Sequence, residues 1–286
     1  MNRKGASHQI WVVCCLAQIW WLAPFSAAAD GLLTFAGPAM GTTFRVTLAR
    51  GIQGMAIGEV HREVEGVLAR LDRALNTWRD DSDVSRFNRA AAGERVEVAD
   101  DLVAVVEIAR TVHAESQGAF DITFAPPGSG RPFGMQHVET RQSPAALRKD
   151  VDGIALDVGG IGPGYGVDAI GDRLSELGSM AHLVELGGEV RAWGRRPDGT
   201  AWRMAVGAGG RVIELADGLA LATATSRSGR SPIDPRTGRV VSPSAISATV
   251  RSSSCASADA WAVAALVLGI PPGVDGTIEL PVRARP

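Results

Sequence analysis

Two carboxylates and a cluster of glycines carry the chemistry open to this sequence. Asp157 precedes a glycine-rich turn in "ALDVGGIGPGYGVDAIGDRL" (155–174), and Asp259 lies in "SSSCASADAWAVAALVLG" (252–269). Glycines let a backbone approach a ligand closely, and a helix N-terminus offers free N–H groups to a phosphate. A strand is expected to end at Asp157. Pro163 is expected in the first turn of the next helix, where its missing N–H is harmless. The same pattern equally suits a plain strand-to-helix connection. No G-x-G-x-x-G frame fits these glycines, which argues against a Rossmann-type fold. Asp259 is expected in the first turn of the last helix, where a carboxylate is favoured with or without a metal. Ile233-Asp234-Pro235-Arg236-Thr237-Gly238 reads as a tight turn of the Asx type. Asp121 and Asp157 could bind ring nitrogens or ribose hydroxyls, or cap local backbone. Met40 and Trp78 could pack on an apolar ring or fill the core.

These residues need a scaffold, and the patterning supplies one. Phe44, Val46 and Leu48 alternate as in a half-buried strand. Val60, Val64, Val67, Leu68, Leu71 and Leu75 recur at helical spacing. A second helix is expected from about Asp101, with Leu102, Val105, Val106, Ala109 and Val112 inward. A third is expected over 164–177, capped by Gly178. Segments 182–193, 202–206, 211–215 and 219–224 read as antiparallel strands, with turns at Gly187-Gly188 and Gly209-Gly210. A last helix runs from about Ala256 to Leu268 and stops at Gly269. The class is α+β.

The first residues bear on location. Arg3 and Lys4 precede an apolar run from Ile10 to Phe25, and Ala27-Ala28-Ala29 offers small residues for a signal peptidase. Residues 1–29 therefore read as a signal peptide and 30–286 as one working unit, exported to the periplasm. The run is shorter than the ~20 apolar residues of a spanning helix. Cys14 and Cys15 would leave with it, so Cys255 alone excludes an internal disulfide and reads as a buried core residue. The chain has 29 basic and 31 acidic side chains and no basic tract, which excludes nucleic acid and anionic membrane surfaces as partners.

Seven stretches in order sharpen the reading. "AMGTTFRV" (39–46), "LNTWRDDSDVSRFNRA" (75–90), "GAFDITFAP" (118–126), the glycine turn, "HLVELGGEVRAWG" (182–194), "IDPRTG" (233–238) and the last helix resemble the FAD:protein FMN transferase family, the ApbE type. The resemblance runs from about residue 35 to 270. It implies two intimately packed lobes of antiparallel strands and helices with a nucleotide site between them. It implies a magnesium-dependent enzyme that transfers FMN from FAD to a Thr or Ser hydroxyl of an acceptor protein, releasing AMP. Matched motif by motif, it puts Met40, Trp78, Ala119, Phe120, Asp121, Asp157, Pro163 and Ile233 on FAD. The Gly160 carbonyl and the Asp259 carboxylate fall on Mg2+.

The departures cluster on the chemistry. Pro163 stands where the family usually has lysine, and Val263 where it has a threonine one turn after the metal-binding aspartate. Ala224-Thr225-Ser226-Arg227 replaces A-T-S-G, and Ser231-Pro232 replaces a histidine before I-D-P. Arg227 or Arg230 could replace the lysine charge, Arg236 could share the phosphate load, and Asp234 could take the hydroxyl proton. The alternative is a relative that binds FAD as a carrier or interaction protein without transfer.

Overall fold

The computed structural model describes residues 25–27, 31–206, 211–226, 232–241, 247–269 and 277–279. The chain opens with β1 (Phe25–Ala27), β2 (Leu33–Ala39), β3 (Thr42–Leu48), α1 (Ile57–Leu75), α2 (Asp83–Arg89) and β4 (Arg95–Glu97). Next come α3 (Asp100–Glu115), β5 (Val138–Gln142), β6 (Ala145–Lys149), α4 (Gly162–Glu176), β7 (His182–Leu186) and β8 (Glu189–Trp193). The rest comprises β9 (Trp202–Val206), β10 (Arg211–Leu215), β11 (Ala220–Thr225), β12 (Ile233–Asp234), β13 (Arg239–Val240), β14 (Ser247–Ser252), α5 (Cys255–Leu268) and β15 (Thr277–Glu279).

An eight-stranded sheet, ordered β1-β2-β3-β7-β8-β11-β14-β15, is antiparallel except for its last pair. A three-stranded antiparallel sheet, β4-β6-β5, forms the second lobe with α2 and α3. One core serves both lobes: Phe44, Val184 and Leu186 of the large sheet join Val105, Val106 and Leu147 of the small lobe. Helix α1 supplies Val60, Val64, Val67, Leu68, Leu71 and Leu75 to that core, as its spacing predicts. Its cap differs from a Ser or Thr cap: Glu59 reaches back to accept from the Ala56 N–H at 2.8 Å. Gly178, at φ +93, follows α4 and lets the Ser179 N–H reach the Leu174 carbonyl at 2.9 Å.

The expected strand ending at Asp157 is not one. Residues 154–158 belong to neither sheet. Their backbone is held by the side chains of Asn88 and Lys149 together with the Ile122 carbonyl. The Gly209-Gly210 turn, Arg227, Arg230 and Ser231 lie outside the described residues, as does most of the apolar leader. Among the described residues, no helix is long and apolar enough to cross a membrane.

Candidate functional site

The start of α4 is where the site residues meet, and a glycine makes the meeting possible. A Cβ built on Gly164 would fall 2.4 Å from the Cys255 carbonyl oxygen and 2.8 Å from Asp259 Cβ. Any larger residue would push α4 and α5 apart. Across this contact the Gly164 N–H donates to Asp259 Oδ2 at 3.1 Å. Asp259 is only 4% exposed. Burial and then the nearby Glu189 of β8 push its carboxyl well above the usual range, against the pull of the Gly164 N–H. Among the described residues, no cation pairs with it.

Asp259 begins the second turn of α5 rather than lying in the first, which corrects the sequence expectation. The carboxylate that serves the helix start comes from another element. Asp168 on α4 accepts from the Cys255 and Ala256 N–H groups at 3.0 and 3.2 Å and from Ser254 Oγ at 2.9 Å. Arg191 of β8 balances its charge at 2.7 Å and lies over the Trp193 ring, 4.7 Å from its centroid. Cys255 is buried beside these acids, and burial raises its thiol pKa further, so it is a packed and unreactive residue.

The remaining pieces of the site approach from three sides. A Cβ built on Gly160 would lie 3.1 Å from Val263 Cγ2 and 3.5 Å from Phe120 Cε2, so these three are neighbours. Val263 thus presents a methyl group next to Gly160, one turn beyond Asp259. Met40 and Gly41 form the two-residue turn joining β2 and β3, both at positive φ (+48 and +75). This conformation is uncommon for methionine. It sets the thioether against α4: built Cβ atoms at Gly162 and Gly166 would lie 3.5 Å from Met40 Cε and Sδ. Pro163 occupies the first turn of α4, as expected.

Ala119 and Phe120 are buried at 1% and 4% exposure, so their side chains belong to the core. His113 Nδ1 lies 2.9 Å from the Phe120 carbonyl, which can only accept, so this nitrogen carries the hydrogen. Asp121 Oδ1 accepts from the Thr123 N–H and hydroxyl at 2.7 and 2.6 Å, the local-capping role. The Asp157 N–H donates to the Ile122 carbonyl at 2.7 Å, and Asp157 Oδ1 accepts from the Gly159 N–H at 3.0 Å. Asp157 is solvent-exposed yet set among enough protein that desolvation pushes its carboxyl up.

The I-D-P-R-T-G turn is a closed unit. Asp234 Oδ1 accepts from the Arg236 N–H at 2.9 Å, which makes the expected Asx turn, and the Arg236 guanidinium grips both carboxylate oxygens at 2.9 and 2.8 Å. That grip holds the Asp234 carboxyl below its usual range, so Asp234 is a poor proton acceptor, contrary to the sequence expectation. The turn packs on the 118–127 segment through Arg236 near Gly118 and Gly238 near Pro127. Ile233 is half-buried on β12. Trp78 is 64% exposed on the α1–α2 connection, which excludes a core role.

Sequence reasoning missed Asp168, Arg191 and Glu189. Asp168 alone left a signal, a carboxylate set between the inward Val167 and Ile170 of α4.

A glycine-opened helix clamped onto a buried aspartate, between two lobes of antiparallel strands, defines a class. The chain belongs to the ApbE family, whose model matches residues 40–278. It is 30% identical over 299 aligned positions to the FAD:protein FMN transferase of Vibrio cholerae, spanning 91% of this chain and 87% of that one. The protein of the same name from Haemophilus influenzae is 26% identical, over 83% and 81% of the two chains. The apo crystal structure of the Pseudomonas stutzeri flavinyl transferase ApbE superposes with a TM-score of 0.74 at 34% identity, over 84% and 87% of the chains.

Proposed function

We propose that this chain is an FAD:protein FMN transferase. FAD binds around the start of α4, and with magnesium the enzyme transfers FMN to a threonine or serine hydroxyl of an acceptor protein. The acceptor oxygen forms a bond to the FMN phosphorus while the phosphorus–oxygen bond to AMP breaks. AMP leaves with the electron pair, and the hydroxyl proton passes to a base or solvent. Family membership across residues 40–278 supports the reaction class. The observation that carries the assignment of the site is Asp259, a buried carboxylate held by one backbone N–H and by no cation among the described residues.

The residues present fit magnesium. Asp259 and the Gly160 carbonyl are hard oxygen donors, and a divalent cation would offset the carboxylate charge that burial disfavours. Among the described residues, no group of three or more His, Cys, Asp or Glu forms a protein metal cage. The phosphates of the nucleotide and water are therefore needed to complete the shell. When bound, the ion supplies charge neutralisation at the pyrophosphate.

The chain's own residues do the rest. The positive end of the α4 dipole favours a phosphate; the N–H groups of Gly162, Gly164 and Tyr165 are themselves bonded to Val158, Asp259 and Ile161, and Pro163 has none. Met40, Ala119, Phe120, Asp121, Asp157, Pro163, Ile233 and Trp78 are assigned to the nucleotide; for Ala119 and Phe120 the contact would be through backbone. The assignment extends to export of residues 30–286 after removal of the leader.

The methyl group of Val263 beside Gly160 favours a second reading, an FAD carrier without transfer. One assay separates them: protein, FAD, magnesium and an acceptor domain, followed by intact mass. An acceptor heavier by one FMN supports the transferase. Bound FAD with an unlabelled acceptor supports the carrier, and no FAD uptake defeats both.

A further inference from the structure

The segment leading to Asp157 is held in place without a sheet, by two side chains outside the nucleotide and metal contacts. Asn88, in the last turn of α2, treats Leu156 as a neighbouring strand would. Its Oδ1 accepts from the Leu156 N–H at 2.7 Å, and its Nδ2 donates to the Leu156 carbonyl at 3.0 Å. Behind it lies Lys149 at the end of β6, 1% exposed. Lys149 Nζ donates to the carbonyls of Phe87, Asn88 and Ile154 at 3.0, 3.0 and 2.8 Å and sits 5.1 Å from the Phe87 ring centroid. An ammonium has three hydrogens, and here all three have acceptors.

We infer that Asn88 and Lys149 form a clamp that positions Asp157 for the nucleotide. The inference rests on the FAD reading above. Lys149 ties the end of α2 to Ile154 and fixes the backbone of Asn88, and Asn88 then fixes Leu156. Asp157 follows directly, pinned on its other side by the Ile122 carbonyl. Burying an ammonium with no carboxylate bonded to it carries a desolvation cost, offset here by its three carbonyl acceptors. Burial indeed lowers the Lys149 pKa. A buried ammonium whose three hydrogen bonds all fix one short strip of backbone fits a positioning device. Asp157 is exposed at the end of that strip, where a ligand can reach it.

The test is a double-mutant cycle on FAD affinity, read by flavin fluorescence on the mature protein. Asn88→Ala should weaken FAD binding about tenfold, the loss expected when one hydrogen-bonding carboxylate is misplaced. In an Asp157→Ala background the same change should cost less than about twofold, because the clamp acts through Asp157. Lys149→Met should repeat this pattern in the affinity cycle and lower thermal stability, because it leaves the Asn88 and Ile154 carbonyls without their donor. If Asn88→Ala does not fold, Asn88→Asp serves: it keeps the acceptor for the Leu156 N–H and loses the donor to its carbonyl. Equal weakening with and without Asp157 would overturn the clamp, as would unchanged affinity in folded variants. A wild-type protein that takes up no FAD would overturn the FAD reading first, and the clamp with it.

Discussion

Asp234 at the end of β12 and Asp259 on α5 are both buried carboxylates, and they are balanced in opposite ways. Arg236 grips Asp234 through both oxygens, and its pKa falls. Asp259 has one backbone N–H and a neighbouring glutamate, and its pKa rises. Asp168 resembles Asp234, since Arg191 and the start of α5 neutralise it. A carboxylate with its own cation is part of the fold's internal balance. One left short of positive charge is suited to a cation that arrives with a ligand.

Four variants test that contrast. The largest effect is expected at Asp259. Asp259→Asn should lower acceptor labelling by about 10³-fold, corresponding to several kcal/mol of lost charge stabilisation. The same change should raise the melting temperature of the nucleotide-free protein, by about 2–8 °C for a gain of about 1–2 kcal/mol, because it removes a buried charge. Lower stability would contradict the reading of Asp259 as uncompensated. Asp168→Ala should act the other way and destabilise by about 3–5 kcal/mol in urea unfolding, since it leaves Arg191 buried without its partner.

Smaller changes follow. Val263→Thr with Pro163→Lys should raise the labelling rate about tenfold by adding an oxygen donor beside Gly160 and a cation at the start of α4. A rate that does not move would place the limitation elsewhere. The smallest effect belongs to Asp234. Its folded pKa is lowered, so the stability it contributes is complete above the unfolded value and is lost as pH falls through the folded one. Comparing urea unfolding at neutral and acid pH, wild type should lose about 1 kcal/mol more than Asp234→Asn, with Arg236 about a third exposed limiting the gain.

The sequence made the scaffold legible wherever apolar spacing was sustained. The stripe of α1, the caps at Gly178 and Gly269 and the β7–β8 turn all lie where periodicity and turn chemistry place them. Shorter pieces escaped. Helix α2 has seven residues and β4 three, too few for a period to register. The stretch before Asp157 looks like a strand because Ile154, Leu156 and Val158 alternate inward, but its partner is the Asn88 side chain. In the site, the motif residues were visible one by one. Their balance was not, because Asp259 faces Gly164 from 95 positions away and Asp168 reaches Cys255 from 87. Charge pairing across such separations leaves no local trace.

On the proposed reading, Asp259 takes a cation that the nucleotide helps to hold. Calorimetric titration of magnesium into the protein, with and without saturating FAD, decides this. Magnesium should bind weakly alone and at least about tenfold more tightly with FAD, and Asp259→Ala should abolish that difference while leaving the fold intact. Equal magnesium affinity with and without FAD, or coupling that survives Asp259→Ala, would contradict the account.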